Sequence, residues 1–492
     1  MLCAPGRPAA AARVRAARAG IACLAVAALA ACSLAPHYKP PPAPLVQQYK
    51  EVGDWMRAQP ADAQPRGNWW EPFGEPTLDD LEQQLARSND DLRAAVARYA
   101  EARAVSLGAH SNLFPTVDGG ASATRERVSG NAPLAGVYGN RAVTYNDFLA
   151  QLNLAWEIDV FGRLRNQAAA AGAQAQASAA DLASVQLSLQ AQLASDYFSL
   201  RGDDAQTQLL EDTVNDYDRA YVLTKHRYDE GTAAATDVDQ ADTQRQNARA
   251  QLAAVRLQRA QLEHAIAVLI GQPASSFSLA PGTLAAAPPA LSPGLPSTLL
   301  QRRPDVAEAE RNVAAANAQI GVARAAWFPV FSLSGAAGFE STAASRWLDA
   351  PSKMWSIGPS GNVPLLDAGA RLAGNRRAWA QYDESLASYR KTTLVAYQEV
   401  EDSLATLHHI ADELAADRAA AASAASAARH ADDRYAAGVA DYIEVTTTHT
   451  AALQAELAVL IARVDELNAA VSLVRATGGG WTRAQLERMA RQ

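Results

Sequence analysis

Arg227-Tyr228-Asp229-Glu230-Gly231 and Arg434-Tyr435-Ala436-Ala437-Gly438 stand 207 residues apart (434 − 227) in the chain. The same offset joins Val238 to Val445, Gly162 to Gly369 and, as a pair of acids, Asp237 to Glu444. A second landmark, Leu113-Phe114-Pro115 against Trp327-Phe328-Pro329, lies at 214 (328 − 114), which predicts a small length difference in the intervening loops. Self-similarity on this scale means that one structural unit is written twice.

Two periodicities alternate around these landmarks. Leu453, Leu457, Leu460, Val464, Leu467, Val471 and Val474 are spaced 4, 3, 4, 3, 4, 3, the apolar seam of a coiled coil. Leu252, Val255, Leu262, Ile266 and Leu269 keep compatible spacing, as do Leu182, Val185, Leu189, Leu193, Tyr197 and Leu200. Other helix faces, as over 168–180, carry Ala, Ser and Gln, so neighbouring helices can approach on more than one side.

The second periodicity is two. Val117, Gly119, Ala121 and Ala123 alternate with Thr116, Asp118, Ser122 and Thr124, and Ala150, Leu152, Leu154, Trp156 and Ile158 with Gln151, Asn153 and Glu157. In the second unit Phe331 and Leu333 alternate with Ser332 and Ser334, and Trp355, Ile357, Gly361 and Val363 with Ser356, Ser360 and Asn362. One such strand fits a half-exposed sheet as well as a membrane barrel. The set favours the barrel: each segment is about ten residues long, enough to cross a bilayer when tilted. Polar, Gly-containing connections such as 129–141 join the strands, and Phe114, Trp156, Trp327 and Trp355 lie near strand ends, where interfacial rings are favoured. Four strands close no barrel, since the smallest need about eight, and lipid tolerates no open sheet edge. The chain is therefore predicted to oligomerise.

The N-terminus reads as an export signal. Arg7, Arg13, Arg15 and Arg18 precede an apolar run over 21–31, with no acid in the first 31 residues, and the run is too short for a permanent membrane helix. Leu29-Ala30-Ala31-Cys32 resembles a bacterial lipobox, so Cys32 is expected to carry a covalent lipid as the mature N-terminus. The cysteines are Cys3, Cys23 and Cys32, which leaves the expected mature chain of 461 residues (492 − 31) no thiol besides Cys32 and no disulfide. Ser33 after Cys32 is what outer-membrane sorting shows among lipoproteins, and His37-Tyr38-Lys39-Pro40-Pro41-Pro42-Ala43-Pro44 reads as an extended tether.

Enzyme and nucleic-acid classes find no support. Net charge is −8 with Lys and Arg dispersed, which offers no nucleic-acid surface. No phosphate-binding Gly-rich loop, His-Glu-x-x-His, paired Cys or Ser elbow occurs. His408 and His409 are adjacent and on a helix point about 100° apart, so they are read as surface residues that share no metal. Glu399, Glu401 and Asp402 read as the solvated face of a long helix. The expectation is no catalytic residue, no metal and no cofactor besides the lipid on Cys32.

At this point the sequence resembles the outer membrane efflux protein family, the TolC-like factors, and within it the lipidated OprM/NodT-type branch. The carriers are the lipobox at Cys32, Trp156-Glu157-Ile158-Asp159-Val160-Phe161-Gly162-Arg163, the two Arg-Tyr-x-x-Gly turns, Arg302-Arg303-Pro304-Asp305-Val306 and Gly478-Gly479-Gly480-Trp481, in this order on one duplication. The resemblance implies a mainly α fold with a small β part: a long antiparallel coiled-coil helical tunnel in the periplasm, plus four strands per chain in a trimeric twelve-stranded β-barrel of the outer membrane. It further implies a homotrimer that gives solutes a passive exit, docked to a periplasmic adaptor (membrane fusion protein) and an inner membrane pump of RND type.

The resemblance also assigns the helical tips. Arg227, Tyr228, Gly231, Asp237, Arg434, Tyr435 and Gly438 would meet the adaptor. From the residues alone, Gly231 and Gly438 end descending helices as left-handed C′ glycines, and Asp237 and Asp441 begin the returning ones. Family tunnels are closed by a ring of apolar side chains and a ring of Asp one helical turn further on. Counted from Gly438, Ile443 takes the apolar place, but Thr447 stands where the Asp would, and an acidic ring is left to Asp441 or Glu444. Three carboxylates around an axis repel one another and attract cations, whereas three Thr do neither. A gate with weak divalent-cation sensitivity is expected.

The expected organisation is a signal over 1–31, anchor and tether over 32–76, and a first repeat over 77–270 with strands near 115–125 and 147–158 and its tip near 231. An equatorial linker over 271–303 precedes a second repeat over 304–477, with strands near 330–340 and 354–364 and its tip near 438, and a tail over 478–492 follows. The competing reading is a non-conducting trimeric coiled-coil lipoprotein that braces the envelope. It predicts the heptads but has no need of alternating strands.

Overall fold

The structure is a computed structural model that describes residues 33–42, 49–50, 68–131, 141–285, 287–289 and 303–479. Cys32 with the signal, most of the tether, Arg302, and Gly480 and Trp481 of the closing motif lie outside the described residues. Along the chain run α1 (Pro76–Ser88), α2 (Asp90–Ser111), β1 (Thr116–Val128), β2 (Val143–Ile158), α3 (Arg163–Asp229) and α4 (Ala235–Leu269). They are followed by α5 (Pro304–Ala325), β3 (Val330–Ser341), β4 (Lys353–Asn362), α6 (Ala370–Ala436) and α7 (Tyr442–Ala476).

The duplication is reproduced element by element. α3 and α6 each hold 67 residues and α4 and α7 each 35, and each pair starts 207 residues apart (370 − 163 and 442 − 235). α2 and α5 each hold 22 residues at an offset of 214 (304 − 90). The offset changes between α2/α5 and α3/α6 because the second strand hairpin (330–362) is 10 residues shorter than the first (116–158), while its link to the long helix (363–369 against 159–162) is 3 longer. At about 1.5 Å per residue, the two long helices each extend roughly 100 Å.

By packing, the chain forms two units, one of residues 1–41, 101–177 and 310–388, the other of 42–100, 178–309 and 389–492. The first holds an antiparallel meander in the order β1-β2-β3-β4. Its register sets all four alternations in phase. Val117 opposes Leu154, Gly119 opposes Leu152, and Leu152 and Leu154 in turn oppose Ala337 and Gly335, which face Trp355 and Ile357. On the other face Asp118 opposes Asn153, Asn153 opposes Ala336, and Ala336 opposes Ser356. The apolar face is bare: Val117, Leu152, Trp355 and Ile357 are each more than half exposed, Trp355 at 78%. The β1–β2 ladder runs past the apolar alternation to Val128 and Val143, because polar pairs such as Glu126 and Tyr145 keep it closed, with Tyr145 Oη donating to Glu126 Oε2 at 3.2 Å.

Each hairpin hands over to its long helix through a left-handed glycine and a capping aspartate. Gly162 has φ 75° and Gly369 has φ 91°. Asp159 accepts from the Leu164 and Arg165 N–H groups at 3.1 and 2.8 Å, while Arg163 forks onto Glu157 at 3.0 and 2.7 Å. Asp367 accepts from the Gly369 and Arg371 N–H groups, both at 3.1 Å, and its bond to the Arg371 side chain holds its carboxyl below the usual range. Beside the junction Phe161 stacks on Phe328 at 4.6 Å, and Trp156 Nε1 donates to Leu113 O at 3.1 Å.

The stretch after Cys32, expected to hang as a tether, is instead docked along α5. Ser33 Oγ donates to Asn166 Oδ1 at 3.0 Å, Arg324 donates to Leu34 O at 3.2 Å, and Asn317 to Pro36 O at 2.9 Å. Tyr38 Oη donates to the Glu310 carbonyl at 3.3 Å and to its carboxylate. The partners descend from Arg324 to Glu310, so Ser33 lies at the sheet end of this unit and the chain runs away from the sheet. Side chains of the helix thus satisfy carbonyls of an extended stretch that has no ladder partner of its own.

In the second unit the helices pack on the predicted heptads. Leu182, Leu193, Tyr197, Leu200, Ile266, Leu467, Val471 and Val474 are all buried. α3 and α7 approach so closely at Gly202 that a Cβ there would lie 2.3 Å from Val464 Cγ2. The segment after α4 is strapped down by charge. Arg201 and Arg259 donate to the carbonyls of Ala280 and Leu279 at 2.8 and 2.6 Å, and Glu263 and Asp204 accept from the N–H groups of Leu279 and Gly282 at 2.6 and 2.9 Å. Arg303 of the Arg-Arg-Pro-Asp motif forks onto Asp305 at 3.0 and 2.6 Å and reaches Glu399 at 2.6 Å and Ala476 O at 3.1 Å. Two carbonyl groups of the strap thus exchange water for buried cations that are themselves neutralised.

Beside this network Asp203 is buried with one carboxylate oxygen unpartnered, and burial pushes its pKa up to about 6. A folded pKa above the unfolded value near 3.9 means that the native state binds this proton more tightly. Ionisation of Asp203 therefore opposes folding once the pH passes the unfolded value, in full above about 6. In thermal unfolding of the detergent-solubilised protein, Asp203→Asn is expected to raise the midpoint at pH 8 and leave it nearly unchanged at pH 4; equal shifts at both would contradict this.

Candidate functional site

The tips of the two helical hairpins lie in the second unit and are built by identical backbone chemistry. At the end of α3 the Thr232 N–H donates to Arg227 O at 2.8 Å and the Gly231 N–H to Tyr228 O at 2.9 Å, with Gly231 at φ 76°. At the end of α6 the Val439 N–H donates to Arg434 O at 3.0 Å and the Gly438 N–H to Tyr435 O at 3.1 Å, with Gly438 at φ 71°. These are Schellman closures, which need a residue free to adopt left-handed backbone. A Cβ on either glycine would meet nothing within 4 Å, so backbone hand alone selects glycine.

Of the expected pair, Asp441 begins its returning helix, whereas Asp237 does not begin its own. Asp441 is the N-cap of α7, without a side-chain capping bond, and its mate by the 207-residue offset is Ala234. Asp237 sits three residues further on, where its Oδ2 accepts from the Ala234 N–H at 3.3 Å. Its mate is Glu444, an exchange of acids that keeps a negative charge in the first turn of each helix, against the positive end of the dipole.

Inside the tip, Ala241, Ala431, Tyr442 and Val445 form a buried cluster flanked by Tyr221 and Tyr435. Tyr435 lies 5.4 Å from Tyr442 at 62°, and the Arg227 guanidinium stands 4.9 Å over the Tyr435 ring. Burial pushes the Tyr442 phenol up to about 12. The structure therefore brings Arg227 and Tyr435, one from each repeat, onto each other within one chain. Their sequence equivalents go elsewhere: Tyr228 is 46% exposed, and Arg434 pairs with Glu444 at 3.4 Å. A further link, unforeseen from the sequence, joins His449 of α7 to Asp432 of α6 at 2.9 and 3.0 Å, with the His449 ring edge-on to Tyr217.

Ile443 and Thr447 occupy one face of α7, one turn apart and both exposed, Ile443 at 56%, while Tyr442, Val445 and Thr446 turn inward. Thr447 Oγ1 donates to Ile443 O at 2.7 Å, so the hydroxyl is satisfied within the helix. In the first repeat the same places hold Thr236 and Gln240, so only the second repeat offers an apolar side chain there. No carboxylate occurs on α7 between Glu444 and Glu456, and Glu444 is turned to Arg434. Asp441, the N-cap of α7, is exposed. The adjacent His408 and His409 of α6 are exposed as expected, but their rings lie only 5.2 Å apart, closer than a 100° divergence suggests.

A family model described as outer membrane efflux protein matches residues 81–272 and 295–479. The chain belongs to the outer membrane efflux protein family. The probable efflux pump outer membrane protein TtgC of Pseudomonas putida is similar over 456 residues at 34% identity, covering 92% of this chain and 93% of that one. The pyoverdine export outer membrane protein OpmQ of Pseudomonas aeruginosa is 31% identical over 461 residues, covering 92% and 96%. Among solved structures, the outer-membrane channel OprN superposes with a TM-score of 0.86 at 32% identity, covering 92% of this chain and all of that one. The Campylobacter jejuni CmeC outer membrane channel shares the fold at a TM-score of 0.88 and 24% identity, over 94% and 98%.

The expectation that Thr447 lines a gate has an electrostatic test. In planar bilayers, millimolar Ca²⁺ or Mg²⁺ is expected to reduce single-channel current far less in the native protein than in Thr447→Asp, where three added carboxylates would bind the cation. Equal block of the two proteins would refute the reading.

Proposed function

We propose that the chain is one subunit of a trimeric outer-membrane duct, the exit component of a tripartite efflux system, in which an inner membrane pump of RND type drives solutes through a periplasmic adaptor. Three four-stranded sheets close one twelve-stranded barrel, and the paired long helices of three chains form the tunnel. The single observation that carries this is the in-phase sheet: one apolar face left bare, one polar face, and two open edges. A bare apolar face is stable against lipid, and open edges are stable in lipid only when another chain pairs with them. A non-conducting coiled-coil lipoprotein has no use for such a sheet.

Relatives named for an antibiotic pump, a toluene pump and pyoverdine export match this chain over 92% of its length. Cargoes so unlike one another accord with a duct that does not select among them and performs no chemistry, so the reading is a passive channel and not an enzyme. Lipid attachment at Cys32 completes the proposal: Ser33, the next residue, is held at the sheet end of the first unit, where an acyl chain reaches the bilayer that the sheet crosses. The tip faces with Tyr228, Gly231, Arg434 and Gly438 are the surface offered to the adaptor.

Steady trimer-sized conductance of the purified protein in a planar bilayer is expected, and silence of both the native protein and gate variants would overturn the proposal. The sheet faces sharpen it. Ile357→Lys places a charge on the lipid face at a cost of about 2–4 kcal/mol near mid-bilayer and should abolish assembly. Ser356→Lys, one residue away on the polar face, should assemble and change only conductance and ion selectivity. Equal tolerance of the two would contradict the assignment of faces.

A further inference from the structure

We propose that His408, His409 and Asp412, on the exposed face of α6, form a binding site for a borderline divalent transition-metal ion of the Zn²⁺ or Cu²⁺ type. One ligand-capable atom from each of the three lies within 4.8 Å of the other two. Successive residues on an α-helix diverge by about 100°, which sets the two His apart, but the fourth residue after His408 returns to about 40° and falls between them. Helical side chains lean toward the N-terminus, so the Asp412 carboxylate tilts into the turn that carries both imidazoles. The two rings stand 5.2 Å apart, inclined at 65°.

A tetrahedral or octahedral ion with bonds of about 2.0–2.2 Å needs its ligand atoms roughly 3–3.5 Å apart. All three side chains are exposed, so changes at their outer torsions close the remaining gap without moving backbone. The backbone itself is pinned, because Leu407, Ile410 and Leu414 are buried on the opposite side of the same two turns. Two imidazoles and one carboxylate favour Zn²⁺, Ni²⁺ and Cu²⁺ over the oxygen-seeking Ca²⁺ and Mg²⁺, with Cu²⁺ tightest. Three protein ligands leave the other positions to water, as in an open site. Among the described residues no other set of three His, Cys, Asp or Glu meets this spacing. The site stands apart from the tip of its own hairpin: 24 residues (436 − 412) of α6 separate it from the end of that helix, about 36 Å.

The test uses the full-length, untagged protein in detergent, stripped with chelator and titrated with Cu²⁺ or Zn²⁺ by calorimetry, with electron paramagnetic resonance of the Cu²⁺ form. One ion per chain is expected, with imidazole nitrogen in the copper spectrum and no displacement by millimolar Mg²⁺. The His408→Ala/His409→Ala double variant should abolish binding, and Asp412→Asn should weaken it on the order of tenfold or more, as even lesser perturbations of metal shells do. His430→Ala, at another exposed position on α6, should bind as the native protein does. Circular dichroism and trimer mass establish that each variant is folded. Absence of saturable binding in the folded native protein, or unchanged binding in the double variant, would overturn the proposal.

Discussion

An unpaired strand edge is intolerable in hydrocarbon, where each unsatisfied N–H or C=O costs several kcal/mol and no water is present to relieve it. β1 and β4 are such edges, and each also carries the bare apolar face of a meander that cannot close on itself. The rest of the structure accommodates this constraint. Twist and spacing let a membrane barrel close at about eight strands or more, so four strands commit the chain to copies of itself. Once copies assemble around an axis, each repeat must supply one hairpin of sheet and one hairpin of helices, and the duplication does so with helices of matching length.

Equivalence of the repeats ends where the chain has to be an asymmetric wall. The Schellman closures at Gly231 and Gly438 are the same to a tenth or two of an ångström, because backbone hand leaves no other solution. The side chains around them diverge: Tyr435 is packed in the tip under Arg227, while Tyr228 faces outward; Arg434 turns to Glu444, while Arg227 turns to the other repeat. An aromatic ring beneath a guanidinium is worth about 0.5–2 kcal/mol, a modest bond suited to a contact that must hold the tip together without locking it. Ile443 and Thr447 complete the asymmetry, since at these two places only the second repeat has an apolar side chain, Ile443 where the first has Thr236.

Much of this was legible in the sequence, for physical reasons that differ from one feature to the next. Period-two and heptad patterns report which face an element buries, so strands near 115–125 and 147–158 and the seam from Leu453 to Val474 could be read from spacing. The glycines at 231 and 438 were legible because a helix stop needs left-handed backbone. The relative phase of the four strands was not, since register depends on how neighbours pair and a slip of one residue inverts every face. Nor was the split between Tyr228 and Tyr435: identical dipeptides meet different surroundings only after four helices pack. The docking of 33–38 on α5 was missed because a short stretch without periodicity is silent about what its carbonyls will meet. The closeness of His408 and His409 was missed because azimuth on an ideal helix ignores the reach of side-chain torsions.

The account stands or falls on β1 of one chain pairing with β4 of the next. The mature chain is expected to hold no cysteine besides Cys32, whose sulfur the lipid occupies, so the native background allows a clean cross-link. Gly120→Cys on the polar face of β1 can be combined in turn with Ser356→Cys, Gly358→Cys or Ser360→Cys on the polar face of β4, and the membranes oxidised. β1 and β4 are opposite edges of one sheet, with β2 and β3 between them. At one register the account predicts a ladder of covalent dimer and trimer that ends at the trimer and collapses on reduction. Monomer alone at every register, or a ladder that runs past three chains, would contradict it.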